Sequence, residues 1–467
     1  MTARISSWLL AGSILSVSLP ALALDLPTAW QAAQQHDREL AVARAAHAAA
    51  QPLRAQAAAL WRPGVQLTAN VGIASHDSQM RGAQFSAPGM GSNEGVDFST
   101  SIQGGGMTRW AIQASQPLIN PQRRAQQQQL HLKADMAELQ WQAAQQQARM
   151  RTLQRYLDVA LAEQTVAVST EQLTAVQQAL EQAQERFRIG SAPVTETHEA
   201  RARLAALRAQ QVAQQVDLDV KRRLLADLTG LPMEALHPWL PRPSMAEMVA
   251  KTPALPVWLQ QAEDGNLQIR LQRLAEQMAQ AETQKHSRSA TTTLELVAQA
   301  SQERLHGSGD YGNARNKSGA AMLGVQLTVP LSTGGWRSAK EDEAQRQVEH
   351  ANAQLDNLRQ QISSQVHATW LGLQAGIQRV QALDQALLAS QARLDATQTG
   401  REAGDRTLLD WLSAQSDTAH TQLSLLQARS ALLQAEVVLS LLTGKLDDTA
   451  WSGAQQSLQA PPAQSRP

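Results

Sequence analysis

The sequence predicts a mainly α-helical protein with a small β part, written as two tandem structural repeats. Three observations predict it. The chain matches itself at a near-constant offset: Gly190 pairs with Gly404, Ala200 with Ala414, and Leu228-Thr229-Gly230 with Leu442-Thr443-Gly444, while Pro117-Leu118 pairs with Pro330-Leu331 one residue out of step. Two very long stretches carry an unbroken helical pattern. Four short stretches alternate polar and apolar residues instead.

The first twenty-three residues (1–23) read as a secretory signal peptide. Arg4 precedes an apolar stretch from Trp8 to Leu19, then Pro20 and the small-residue end Ala21-Leu22-Ala23. No Cys occurs anywhere in the chain. A thiol-free sequence suits an oxidising compartment but also many cytosolic proteins, so it does not choose between them; it does leave no lipidation site near residue 20.

Residues 24–230 form the first repeat: a helix over about 30–61, a β-hairpin over 63–117, a long helix over 120–189 and a helix over 192–230. In the long helix Met150, Leu153, Leu157, Leu161, Val176, Leu180, Ala183 and Phe187 recur mostly at steps of three and four, and no Pro or Gly interrupts it. A helix of about 70 residues spans roughly 105 Å, far beyond globular-domain helices. Residues 231–256 hold six of the eighteen prolines and read as a linker between halves.

Residues 257–444 form the second repeat: a helix over 257–289, a β-hairpin over 292–331, a long helix over 336–402 and a helix over 405–444. Val348, Ala351, Leu355, Leu358, Ile362, Val366, Trp370, Leu373, Ile377 and Val380 carry its long helix at a mean step between 3.5 and 3.6, which implies only slight supercoiling. In both halves the two shorter helices together are about as long as the long one. They are expected to stack end to end beside it. The Pro-rich tail, 445–467, is expected to be disordered.

The strands are short. Val65, Leu67, Ala69, Val71 and Ile73 alternate with Gln66, Thr68, Asn70 and Gly72; Trp110, Ile112 and Ala114 alternate in the second; Leu294, Leu296, Ala298 and Ala300 in the third; Leu323, Val325, Leu327, Val329 and Leu331 in the fourth. Gly/Ser/Asn-rich stretches at 75–100 and 306–320 read as hairpin loops with mobile tips, and Gly104-Gly105-Gly106 reads as a hairpin tip. Four strands with one apolar face cannot close a barrel alone, which needs about eight. An open sheet with bare edges invites aggregation. Pooling strands from several chains resolves this: two chains give eight, three give twelve. In a membrane only a closed barrel satisfies the backbone. Trp61, Trp110 and Trp336 lie at strand ends, where an interfacial aromatic girdle would fall.

Balanced charge, forty-one basic against forty-one acidic residues, gives no reason to expect a nucleic-acid partner. No catalytic constellation, phosphate loop or His-Glu-x-x-His appears. The eleven His are scattered, so no metal, cofactor or enzymatic activity is expected.

Taken in order, several short motifs carry a resemblance. They are Trp61-Arg62-Pro63-Gly64, Ser115-Gln116-Pro117-Leu118 with Val329-Pro330-Leu331, Arg186-Phe187-Arg188-Ile189-Gly190, and the paired Leu-Thr-Gly helix ends. The chain resembles the TolC-type outer-membrane factors over about 25–445. The resemblance implies a homotrimer, with a 12-stranded β-barrel in outer-membrane lipid of a Gram-negative bacterium and a long α-helical barrel in the periplasm. It implies a passive exit duct for type I protein secretion or small-molecule efflux, partnered by a periplasmic adaptor and an inner-membrane ABC or proton-driven transporter. The missing lipid anchor leans towards protein secretion. The alternative is a soluble periplasmic coiled-coil scaffold or adaptor protein.

The resemblance also implies sites. Ile189, Gly190 and Ser191, with Ala403, Gly404 and Asp405, fall on the two helix turns that contact the adaptor. Asp410 falls on the first acidic position of a ring that narrows the entrance, where carboxylates gathered on the axis would raise one another's pKa. Ser413 replaces the second acidic position. Arg406 matches an Arg that latches the closed state, and Arg401 replaces the latch tyrosine.

Overall fold

A computed structural model describes residues 24–250, 253–287, 292–310 and 312–460. The expected signal peptide and the last seven residues lie outside the described residues. In chain order come α1 (Leu26–His36), α2 (Arg38–Ala50), α3 (Pro52–Ala59), β1 (Gly64–Ala87), β2 (Gly91–Ile119), α4 (Pro121–Arg188) and α5 (Val194–Thr229). Then follow β3 (Leu240–Pro241), α6 (Met245–Val249), α7 (Leu255–Gly265), α8 (Leu267–His286), β4 (Thr293–Gly309) and β5 (Gly312–Thr328). The chain ends with α9 (Trp336–Ala403), α10 (Leu408–Leu442), α11 (Asp448–Gln456) and β6 (Leu458–Gln459). The two long helices are each 68 residues. Among the described residues the chain divides into two compact units, one of 24–47, 139–270 and 357–460, the other of 48–138 and 271–356.

The second unit holds an antiparallel sheet in the order β1-β2-β4-β5. Residues directly opposite in an antiparallel ladder share a face. Val65, Ala114, Ala298 and Leu323 form one row across all four strands, and Leu67, Ile112, Ala300 and Ala321 the next. Of the alternate rows, Asn70-Arg109-Glu303-Ser318 is polar throughout, and Gln66-Gln113-Gln299 is polar up to Met322 on β5. Over the Val65 and Leu67 rows one face is therefore apolar from edge to edge, and it is bare: Leu67 is 69% and Leu323 75% exposed.

The strands run far past their apolar segments, to 24 residues in β1 and 29 in β2. This corrects the expected loops at 75–100 and 306–320, most of which are ladder. Polar residues continue a strand wherever the neighbouring backbone supplies bonds, so composition alone misplaces the ends. Gly104-Gly105-Gly106 is likewise no tip; it lies within β2 beside a register shift. The tip of that hairpin is at 88–90. A side chain at Gly105 would meet the His306 carbonyl oxygen at 2.8 Å, so the glycine allows β2 and β4 to close over Ile102, which is fully buried. At the sheet's base Trp61 Nε1 donates to Gln127 Oε1 at 2.9 Å and Gln116 donates to the Trp61 carbonyl at 2.7 Å.

In the first unit each short-helix row is broken at a buried cap. Asp37 accepts from the backbone of Glu39 and Leu40 and starts α2, while Asn266 accepts from Gln268 and Ile269 and starts α8. The helix ends Thr229-Gly230 and Thr443-Gly444 abut these breaks. Gly230 packs on the His36 ring, and Asn266 Nδ2 donates to the Leu442 carbonyl at 2.7 Å. The end-to-end meeting of α5 with α1 and of α10 with α7 follows from these contacts.

The linker, 231–256, is anchored in its middle: β3 pairs with β6, and Trp239 N donates to the buried Tyr156 hydroxyl at 2.6 Å. The tail is not disordered over 448–459. Asp447 caps α11, Trp451 is buried against Trp30 at 5.9 Å, and Leu446 and Leu458 are fully buried. Three apolar anchors in a short stretch outweigh its Pro-rich end.

Candidate functional site at the two helix turns

Both long helices stop the same way. At the first turn Ser191 N donates to the Arg186 carbonyl at 2.8 Å and Gly190 N to Phe187 at 2.9 Å, with Gly190 at φ 74°. At the second, Asp405 N donates to Gly400 at 2.8 Å and Gly404 N to Arg401 at 3.2 Å, with Gly404 at φ 87°. This six-to-one and five-to-two pair defines a Schellman ending. Neither glycine has an atom within 4 Å of where a Cβ would be, so backbone conformation rather than space demands glycine. Ile189, Gly190, Ser191, Ala403, Gly404 and Asp405 are all exposed.

The helices that follow start differently. α5 begins after Pro193 with no side-chain cap. α10 begins with a capping box: Asp410 N donates to Thr407 Oγ1 at 3.1 Å, and Thr407 N donates back to Asp410 Oδ2 at 3.0 Å. These backbone and hydroxyl bonds from Thr407, then the nearby charge of Arg406, hold the Asp410 carboxyl below its ordinary value. Within one chain Asp410 is thus biased towards the charged form. Asp410 and Ser413, three apart, share the exposed side of α10's first turns.

Arg401 bridges three helices. Its guanidinium donates to Gln182 Oε1 of α4 at 2.8 Å and lies 5.3 Å from the Trp411 ring of α10. Burial, then the neighbouring positive charge of Arg186, pulls its pKa down. The Arg406 stem lies against Gly400, where a Cβ would fall 2.8 Å from Cγ. Its guanidinium makes no ion pair or hydrogen bond among the described residues.

Beneath the turns Leu408 and Leu412 pack into one buried cluster with Val176, Ala179 and Ala183 of α4 and Ala200, Leu204 and Leu207 of α5. Arg203 donates to Ser416 Oγ at 2.5 Å, and Arg393 pairs with Asp417 at 3.0 Å. Sequence reading missed three contributors. Thr407 was findable, because Thr-x-x-Asp before an apolar run is a capping signature. Gln182 and Trp411 were not, since nothing in the spacing joins them to Arg401.

A bare apolar sheet face, two open strand edges and paired 68-residue helices ending in exposed turns define the class: a membrane-associated β-sheet protein carrying long helical hairpins. The model of the family described as outer membrane efflux protein matches residues 29–231 and 258–445. The chain belongs to that family, and the soluble scaffold alternative is set aside. It is similar to outer membrane protein TolC of Salmonella enteritidis, 25% identical over 320 residues, which cover 68% of this chain and 64% of that relative. The match thus spans somewhat less than two thirds of that relative's length. It is also similar to alkaline protease secretion protein AprF of Pseudomonas aeruginosa, 23% identical over 446 residues, covering 95% of this chain and 89% of the relative. Among solved structures, the outer membrane protein VceC of Vibrio cholerae shares the fold at a TM-score of 0.70 and 18% identity, covering 90% of this chain and 97% of that one.

Proposed function

We propose that the protein is a passive exit duct in the outer membrane of a Gram-negative bacterium, the outermost component of a tripartite export system. The observation that carries this reading is the sheet. Its apolar face is continuous and exposed, and its outer strands β1 and β5 each keep one unpaired edge. Lipid would solvate that face, and only closure with further copies would satisfy those edges. Joining β5 of one copy to β1 of the next is a head-to-tail contact that closes into a ring. Three copies supply twelve strands, matching the trimer that the family resemblance implies. The two helical hairpins per chain, from two similar halves, then give the periplasmic helical barrel.

The exposed turns at Gly190 and Gly404 are assigned to a periplasmic adaptor, and an ABC or proton-driven transporter completes the system. The secretion-protein name of one relative favours protein cargo, the type I route, over small molecules. The gate is assigned to the second turn. Three Asp410 carboxylates and Ser413 hydroxyls would ring the entrance, with Arg401 bridging α9 and α10 and the Arg406 guanidinium, unbonded within one chain, assigned to the latch. A like-charge ring pushes carboxyl pKa values up, against the downward pull of the Thr407 cap within each chain.

The test is conductance in planar bilayers. Wild type is expected to conduct weakly, and Asp410→Ala and Arg406→Ala to conduct more. Unchanged conductance in both variants removes the gate from this turn while leaving the duct. Recovery of the protein in osmotic-shock fluid instead of a heat-sensitive outer-membrane oligomer removes the duct.

A further inference from the structure

On its apolar face the sheet changes character abruptly in β4 and β5, while β1 stays apolar through Val71 and Ile73 in the same rows. Ala300 and Ala321 are opposite one another; two positions on, Gln302 faces Gly319; then Arg304 faces Lys317 and His306 faces Arg315. All four of these last side chains are exposed, and none has an ion-pair partner among the described residues. Like charges directly opposite in a ladder repel, so the Arg304–Lys317 row is unfavourable without an anion, and Arg315 adds a third positive charge beside it. The chain places none there. Both acids of β4 fall on the other face, Glu303 beside Arg109 at 4.0 Å and Glu295 near Arg123 at 3.9 Å, and β5 has no acid at all.

The height of this patch identifies its partner. Apolar residues alternate along the chain from Ala321 through Leu327 to the exposed Val329 and Leu331. At roughly 3.3 Å per residue and a tilt near 45° the strand part, Ala321 to Leu327, rises about 14 Å, and Val329 and Leu331 continue the apolar surface past the strand's end at Thr328. Lys317 then lies about 9 Å and Arg315 about 14 Å above the band's edge, at headgroup depth, where long basic side chains extend towards water. Trp110, on the same face and opposite Gln302, marks the boundary between the two zones.

We propose that Arg304, Lys317 and Arg315, with His306, form a membrane-facing rim that binds the phosphate groups of an anionic glycolipid in the leaflet surrounding the sheet. The inference rests on the outer-membrane reading above. The phosphates neutralise Arg304, Lys317 and Arg315, and the acyl chains cover the apolar rows below. The ligand is thereby a lipid and not a free anion.

The experiment titrates the full-length protein in detergent with bis-phosphorylated lipid A, with the same lipid stripped of both phosphates, and with inorganic phosphate. Binding is read by native mass spectrometry and by tryptophan fluorescence. Replacing Arg304, Lys317 and Arg315 by Gln together is expected to weaken binding on the order of 100-fold, and each single change about five-fold. Arg109→Gln, on the opposite face, is expected to leave binding unchanged and controls for folding. Equal affinity of wild type and triple variant overturns the proposal. So does equal binding of the dephosphorylated lipid, or displacement by inorganic phosphate. Fractionation run in parallel separates the two levels: an outer-membrane protein indifferent to lipid phosphates defeats only this inference, whereas a soluble one defeats the reading beneath it.

Discussion

The turn after α4 and the turn after α9 share a backbone and differ in chemistry. Both end a 68-residue helix with the same pair of reverse bonds around a left-handed glycine. After Gly190 the chain is Ser191-Ala192-Pro193, and α5 starts with fixed φ and no cap. After Gly404 it is Asp405-Arg406-Thr407, and α10 starts with a reciprocal cap and a carboxylate. The comparison teaches that stopping a helix and furnishing its successor are separate problems. The stop is generic, so a function peculiar to one turn has to reside in the residues that follow it.

The largest expected effect breaks the comparison from below. Leu412→Ala hollows the buried cluster that ties α10 to α4 and α5, at a cost of about 2–5 kcal/mol. Heat resistance of the assembled protein should fall clearly; an unchanged midpoint would mean that the cluster does not support the turn. Next comes a symmetric test. Gly190→Ala and Gly404→Ala should each cost about 1–2 kcal/mol through the left-handed backbone alone, and by similar amounts. Unequal losses would show that the two stops are not equivalent.

The third sharpens the difference. Thr407→Ala should cost about 1 kcal/mol by removing the cap, whereas Ser191→Ala leaves the start of α5 untouched. The cap also sets a pH dependence. The Asp410 carboxyl is held below its ordinary 3.8, so its contribution is present above about pH 4 and lost as pH falls through the lowered value. Asp410→Asn should flatten that acid limb in a pH series of thermal melts. The smallest effect is Arg401→Gln. It keeps a donor for Gln182 but loses the charge over Trp411, at about 0.5–1 kcal/mol. A double-mutant cycle with Trp411→Leu should recover that coupling.

How legible all this was depended on the kind of signal. The long helices were read to within one or two residues, because Pro121, Gly190, Trp336 and Gly404 bound two runs almost free of helix breakers. Faces of the sheet were legible from alternation at Val65–Ile73 and Leu323–Leu327. Strand ends were not. Once a strand leaves the apolar zone its polar residues look like loop, although the same ladder that sets Leu67 opposite Ile112 sets Gln79 opposite Ser99. The tail was misread because Pro461 and Pro462 coloured the whole segment, while Trp451 and Leu458, its anchors, have partners hundreds of residues away. At the site, positions along the chain were readable and partners across it were not. Arg401 was named, but its contacts with Gln182 and Trp411 depend on three helices meeting.

The two open edges of the sheet carry a consequence for biogenesis. Along β1 alone about half of 24 residues direct N–H and C=O groups away from β2. In hydrocarbon each unmet group costs several kcal/mol, so a solitary sheet would face a barrier of tens of kcal/mol to insertion. In water the same edges are hydrated and cost little. In the proposed duct, copies would therefore have to find one another before or during entry into lipid, and the insertion rate should rise steeply with concentration. Stoichiometry and membrane passage become one kinetic event, decided by strands that each copy leaves half paired.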